Sequence, residues 1–184
     1  MKVEITRVTS WTDVLNAARF TWRKSLKSGN PSIKWKKKII KAEHSPLRCL
    51  MFNIDMYDIP SYTAGHFVRH VHSQPFVSTS RPDTDGNQVP RDKQKKTDPV
   101  NIRLFLNAQE IIHISRARLC NKAEDETRKI WNEVIKELRK IEPELANACV
   151  PNCAYRGFCP EFKSCGFVNS KLFQLKINDY RNVL

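Results

Sequence analysis

Glycine is scarce in this chain: there are 5 among 184 residues, and none form a dinucleotide-binding or phosphate-loop fingerprint. A nucleotide or phosphate-bearing cofactor, if bound, is therefore not held by either glycine-rich turn. Long apolar runs are also missing. None approaches the roughly 18–20 residues that a bilayer span needs, and the start MKVEITRVTSW lacks the apolar core of a secretory signal, so a soluble, cytoplasmic protein is expected. Acidic residues are few: 19 Asp and Glu stand against 32 Lys and Arg, a formal charge of +13. That balance points to phosphates as partners, on nucleotides, cofactors or nucleic acid, without choosing among them. With 40% hydrophobic residues the composition excludes a disordered basic tail, and the length suits one domain with a sizeable core.

What is present is most concentrated from Gly65 to Arg81, GHFVRHVHSQPFVSTSR. Between Arg69 and Arg81 lie His70, His72, Ser73, Gln74, Ser78, Thr79 and Ser80, with no carboxylate among them. Arginine forks match phosphate oxygens two at a time, and neighbouring hydroxyls and backbone N–H groups satisfy the remaining lone pairs. The first half predicts a helix starting near Ser61, and the second half, broken by Pro75, predicts an extended segment. A solvated basic helix end followed by a polar loop is the alternative reading of the same residues.

Around this stretch the pattern is that of an α/β chain. Val3 to Ser10 alternates as a strand, and a helix capped by Thr12 is expected to run to about Lys24 with Val14, Leu15, Ala18 and Trp22 inward. A short helix with Ile33, Trp35, Ile39 and Ile40 follows, its lysines read as a solvated face in preference to a nucleic-acid patch. Arg48 to Ile59 predicts a strand, and Pro82 to Asp98 a long polar loop from which Arg91, Lys93, Lys95 and Lys96 could reach a phosphate. Two helices complete the pattern, Ala108 to Leu119 and Lys122 to Ile141, the second with an apolar stripe of Ile130, Val134, Ile135, Leu138 and Ile141.

The spacing of Arg69-His70 and Thr79-Ser80-Arg81 resembles the signature of the flavin-dependent thymidylate synthases: an Arg-His-Arg triplet, seven residues, a Ser, and an Arg two further on. Asn107-Ala108-Gln109 and Ala123-Glu124-Asp125-Glu126 similarly hold the places of that family's second signature, and His44-Ser45-Pro46-Leu47 is similar to the turn before one of its strands. The departures are Val71 for the second Arg, Thr79 for the Ser, Val77 for Glu or Gln, and unusual types at Gln109, His113 and Lys122.

The resemblance implies an α/β (α+β) fold, an antiparallel or mixed central sheet with flanking helices, and a homotetramer with shared sites. It implies reductive methylation of dUMP at carbon 5, with FAD as cofactor and methylenetetrahydrofolate and NADPH as co-substrates. By the same resemblance Arg118 and Arg81 are catalytic. Arg69, His70, Cys49, Asn107, Gln109, His113 and Lys122 would line the flavin, and Arg69, Thr79, Ser80, Arg81 and Arg118 the nucleotide. A related flavoenzyme leaving another group, such as a hydroxymethyl, and a basic zinc-stabilised nucleic-acid-binding module without flavin are the alternatives.

Four of the 6 cysteines fall in CVPNCAYRGFCPEFKSC: Cys149, Cys153, Cys159 and Cys165. Four thiolates in a short loop suit tetrahedral zinc or an iron–sulfur cluster. Disulfides, disfavoured in a reducing compartment, and free thiols in a packed tail are the competing accounts. The expected organisation is an α/β domain over residues 1–148 and a cysteine-rich tail over 149–184 packed on it.

Overall fold

The computed structural model describes residues 1–78 and 91–183. The chain runs β1 (Lys2–Arg7), α1 (Trp11–Thr21), α2 (Ile33–Lys41), a 3-10 turn (Ser45–Cys49), β2 (Met51–Pro60), α3 (Ser61–Phe67) and β3 (Ser73–Val77). It continues through a short 3-10 turn (Arg91–Lys93) to β4 (Pro99–Asn107), α4 (Ala108–Arg118), α5 (Asp125–Ile141), α6 (Pro143–Ala148), α7 (Asn152–Arg156), a 3-10 turn (Phe167–Asn169) and α8 (Lys171–Val183).

The strands form one antiparallel sheet in the order β1-β2-β4-β3. Period-two alternation sets its faces. Phe52, Ile54 and Met56 of β2 pair across with Leu106, Leu104 and Ile102 of β4, and all six are buried in the core with α3, α4 and α5. The opposite face carries Asp55 and Arg103, themselves a cross-strand pair joined by two hydrogen bonds of 2.6 and 2.7 Å. The fold is thus α+β, as the sequence predicts. β2 slips register between Met56 and Ile59, where Asp58 takes φ 54 and donates its N–H to the Asn101 side chain at 3.0 Å. This bulge turns the strand end toward α3.

Several local expectations are corrected. Helix α1 is capped by Ser10, with Asp13 completing a capping box, so it starts at Trp11 and ends before Trp22. Trp22 is exposed, and Trp11 fills the core in its stead, donating Nε1–H to the buried Glu142 at 2.8 Å. In α2, Ile33 faces solvent while Lys36 is buried, its ammonium over the Trp11 ring. Cys49 ends a 3-10 turn, so β2 starts only at Met51. The α5 stripe holds at Ile130, Val134, Ile135 and Leu138. Ile141 at its end is half-exposed, and Trp131 shares the buried face. Phe76 and its neighbours form a strand at the sheet edge, Pro75 being tolerated because among the described residues β3 pairs with β4 alone.

Beyond Cys149 a second, smaller cluster of buried residues forms from Val150, Cys153, Ala154, Phe173 and Ile177. It is tied to α4 by Arg116, whose guanidinium lies 3.6 Å from the centre of the Tyr155 ring and pairs with Glu43.

Candidate functional site

The end of α3 and the length of α4 build the site. Asn107 caps α4 by accepting from the Glu110 N–H at 2.9 Å, and Ala108 N–H bonds Leu50 O at 2.8 Å, so the helix springs directly from β4 against the turn that carries Arg48 and Cys49. Helix α3 is held at both ends. Ser61 and Tyr62 donate backbone N–H groups to Asp98 O and Lys96 O, each at 3.0 Å, which docks the end of the polar loop on the helix start. At the other end His66 Nδ1 meets Thr127 Oγ1 at 2.7 Å. The Thr127 hydroxyl itself donates to Glu124 at 2.8 Å, so His66 is the donor of that pair.

Two residues from separate signatures meet here. Arg118 donates Nε–H to His70 Nε2 at 3.1 Å and a terminal N–H to His66 O at 2.6 Å. His70 accepts on Nε2, so its proton sits on Nδ1, facing Glu110 Oε1 at 3.9 Å. Burial, then the charges of Arg118 and His113, lower the His70 pKa to about 4. The imidazole is neutral at neutral pH. Burial and the charge of Arg69 also lower the pKa of Arg118, so the two guanidinium groups act on each other across the end of α3.

Glu110 is buried between two imidazoles, with His113 Nδ1 at 3.6 Å on its other side. It opens onto a shallow cleft lined also by Arg48, His72, Asn107, Gln109 and His113. Arg48 donates Nε–H to Gln109 Oε1 at 2.6 Å across this cleft. The structure therefore gathers Asn107, Gln109 and His113 in one place, with His70 and Arg118 behind them on Glu110 and Arg69 exposed at the rim of α3. It does not gather all the expected residues. Cys49 packs against the main core, its carbonyl accepting from Thr9. Lys122 lies past the far end of α4, where its N–H reaches Cys120 Sγ at 3.5 Å. Thr79, Ser80 and Arg81 fall outside the described residues.

Arg48, His66 and Glu110 were missed by sequence reasoning. Glu110 had a signal: it sits three residues after the Asn107 cap and three before His113, on one helix face. Arg48 and His66 had none, since their roles depend on contacts 61 and 52 residues away.

The cysteine set also needs correction. Cys149 is buried in the main core, its Sγ donating to Leu145 O at 3.4 Å, and burial pushes its pKa up to about 12. Its place beside Cys153, Cys159 and Cys165 is taken by Cys120, and these four line one small pocket. Among the described residues no group of three or more His, Cys, Asp or Glu is arranged to hold a single metal ion.

No protein-family model matches the chain. Over 62 residues, 33% of this chain, it is 37% identical to the flavin-dependent thymidylate synthase of Clostridium tetani (strain Massachusetts / E88), and the matched stretch spans 24% of that relative. Among solved structures it is similar to the flavin-dependent thymidylate synthase ThyX of Helicobacter pylori complexed with FAD and dUMP. The TM-score is 0.66 at 16% identity, over 82% of this chain and 100% of that one. It is also similar to the UMP/dUMP methylase PolB of Streptomyces cacaoi bound with 5-Br dUMP, with a TM-score of 0.58 at 12% identity over 85% and 96% of the two chains. The chain thus has the fold of the flavin-dependent thymidylate synthases and resembles them in sequence over a third of its length.

Proposed function

We propose that this chain is a flavin-dependent enzyme that binds a pyrimidine nucleoside monophosphate of the dUMP type and transfers a one-carbon group, a methyl, to carbon 5 of its base. The observation that carries this reading is the bond between Arg118 and His70, which joins two sequence signatures 48 residues apart into one site. Two arginines acting on each other at the end of α3 are stabilised by an anion between them, and a nucleotide phosphate supplies one.

The residues fit a flavin. The cleft offers a cation at Arg48, two imidazoles at His72 and His113 and an amide at Gln109, a donor set suited to an anionic cofactor with a polar ring edge. When bound, FAD would supply the hydride chemistry, with NADPH and methylenetetrahydrofolate as co-substrates. In this reading Asn107, Gln109 and His113 orient the flavin, neutral His70 fixes Arg118, and Arg118 with Arg69 holds the nucleotide. Thr79, Ser80 and Arg81 complete the nucleotide site. Cys49 and Lys122 are not among the residues that line this cleft. Val68, Val71, Phe76 and Val77 are exposed apolar side chains beside the first signature, which supports assembly into the homotetramer that such shared sites require.

The test is FAD uptake by the full chain, followed by turnover of dUMP with methylenetetrahydrofolate and NADPH and the mass of the product. A stable flavin spectrum after desalting and a methylated product are expected. Arg118→Ala is expected to weaken nucleotide binding by about 1.5–3 kcal/mol, the scale of a charge-assisted hydrogen bond, and to keep the flavin. A colourless protein that takes up no FAD overturns the reading; a hydroxymethylated product keeps the flavin and changes the group transferred.

A further inference from the structure

The positive charge of this chain is unevenly placed. Residues 14–42 hold nine Lys and Arg and no Asp or Glu, so they carry +9 of the chain's +13. The segment covers most of α1, the turn after it and all of α2. That turn folds back along α1. Arg19 Nε–H donates to Ser25 O at 2.6 Å, Asn16 exchanges bonds of 2.9 and 3.0 Å with the Lys27 backbone, and Thr12 Oγ1 donates to Gly29 O at 3.0 Å. Arg23 with φ 53 and Gly29 with φ 96 take the left-handed conformation at its two ends. Helix α2 then packs beside the first turn of α1, where the Lys36 ammonium lies 5.1 Å from the centre of the Trp11 ring. The charge therefore runs along two helices and the turn between them, an extended strip that suits a chain of phosphates better than a single one.

Solvation does not by itself account for the strip, because the chain treats its other lysine-rich helix differently. On α5, Lys129, Lys136 and Lys140 each pair with a Glu three residues earlier, at 3.2, 3.0 and 2.7 Å. On the strip, Arg23, Lys27, Lys34, Lys38 and Lys41 make no ion pair among the described residues. Beside them Phe20 is 77% and Trp22 73% exposed, with the Lys24 ammonium 5.2 Å from the centre of the Trp22 ring. Exposed aromatic rings among unpaired cations offer faces on which bases stack while the cations meet the phosphates. An anionic lipid surface asks instead for apolar side chains gathered on one helix face and lysines on the other. Here the two kinds are interleaved: Ile33 stands with Lys34, Lys37 and Lys38 around one shallow depression, and Phe20 and Trp22 adjoin Arg23 and Lys24 at the end of α1. A duplex keeps its base faces stacked inside, so exposed rings favour unpaired strands.

We propose that the α1–α2 strip binds a single-stranded polynucleotide, its unpaired cations on successive phosphates and Phe20 and Trp22 stacked on bases. The strip shares no residue with the cleft of Arg48 and Gln109, so the inference goes beyond the flavin reading and does not rest on it.

The test is fluorescence anisotropy of labelled oligothymidylate and oligouridylate of about 20 nucleotides with the full chain, in excess dUMP, at salt from about 50 to 200 mM. Binding that falls steeply with salt is expected, by about 0.7 in the log–log slope for each phosphate contact. Tighter binding of either strand supports the proposal and says whether DNA or RNA is held. Lys34→Gln, Lys38→Gln and Lys41→Gln together should reduce the slope by about 2, and Trp22→Ala should weaken binding about tenfold with the slope unchanged. The same three changes at Lys129, Lys136 and Lys140 remove equal charge from α5 and should leave both quantities nearly as they were. The strip variants alter exposed side chains alone, and circular dichroism checks that the fold is kept. No binding at the lowest salt, equal losses in the two triple variants, or displacement by dUMP would each overturn the proposal. So would a duplex held as tightly as the single strands with Trp22→Ala silent, or capture by phosphatidylserine vesicles in place of the oligonucleotides.

Discussion

The two ends of α4 present opposite chemistry. Its first turns carry Gln109, Glu110 and His113 into a cleft open to solvent, where Arg48 bonds Gln109 and the Glu110 carboxylate faces His70 and His113. Its last turn leads to Cys120 and a small pocket of thiols walled by Pro151, Pro160, Phe167 and Val168. The polar end is pre-organised by hydrogen bonds and close charges between its own side chains. The sulfur end holds free thiols, groups with weak hydrogen-bonding capacity, in a small and largely apolar pocket. One helix can serve both because Arg116 and Arg118 lie two residues apart and face opposite ways, Arg118 to His70 and Arg116 to Glu43 and Tyr155.

Breaking the joint between the ends should have the largest effect. Arg116 pairs with Glu43, stacks on Tyr155 and leaves its Nε buried without a partner among the described residues. Arg116→Ala should cost about 2–3 kcal/mol in urea unfolding, through a lost charge-assisted bond and an unpaired Glu43. Arg116→Lys should recover little of it, since an ammonium cannot stack on Tyr155 and bond Glu43 in one plane. A loss below about 0.5 kcal/mol, the range of ordinary surface changes, would mean that the tail is held to α4 by something else.

Acid should separate the two ends next. The folded pKa of His70, about 4, lies below the ordinary value of 6.5, so between those values the unfolded chain binds a proton that the folded chain does not. Stability contributed by neutral His70 is complete above about pH 6.5 and is lost as pH falls toward 4. His70→Asn should flatten that decline, measured as unfolding free energy across the window. Cys149 acts in the opposite direction: its raised pKa leaves acid stability untouched and removes stability above the thiol range. An unchanged acid profile in the His70 variant would show that the imidazole is not buried as described.

The elements of the polar end were more legible in the sequence than the grouping of the cysteines. The helix expected from Ala108 to Leu119 is present as α4, Ala108–Arg118, and the two signatures with consistent spacing bring His70 and Arg118 together, although the cap at Asn107 was not read. The alternation of Phe52, Ile54 and Met56 gave the sheet its inner face. The cysteine set failed at one position because density along the chain was taken for proximity in space. Cys149 sits four residues from Cys153, yet α6 ends between the two clusters and leaves it in the main core, while Cys120 arrives from 33 residues earlier at the end of another helix. Trp22 was misplaced for a related reason. The Ser10 cap starts α1 two residues earlier than the expected Thr12 cap and the helix ends at Thr21, so Trp11 takes the core position and Trp22 lies beyond the helix.

The smallest effect separates scaffold from site within the polar end itself. Gln109 accepts one bond from Arg48, and both side chains are near solvent, so Gln109→Ala should cost no more than about 0.5–1 kcal/mol of stability. Its effect on FAD should be larger if its amide orients the flavin, because removal then also frees Arg48 to swing across the cleft. The informative quantity is the difference between the two losses, read from unfolding and from FAD titration of one preparation. Equal small losses would assign Gln109 to the scaffold and leave His113 and Asn107 as the flavin's contacts on α4. A binding loss several-fold greater than the stability loss would place the cofactor against the first turn of the helix, at the opposite end from the cysteines.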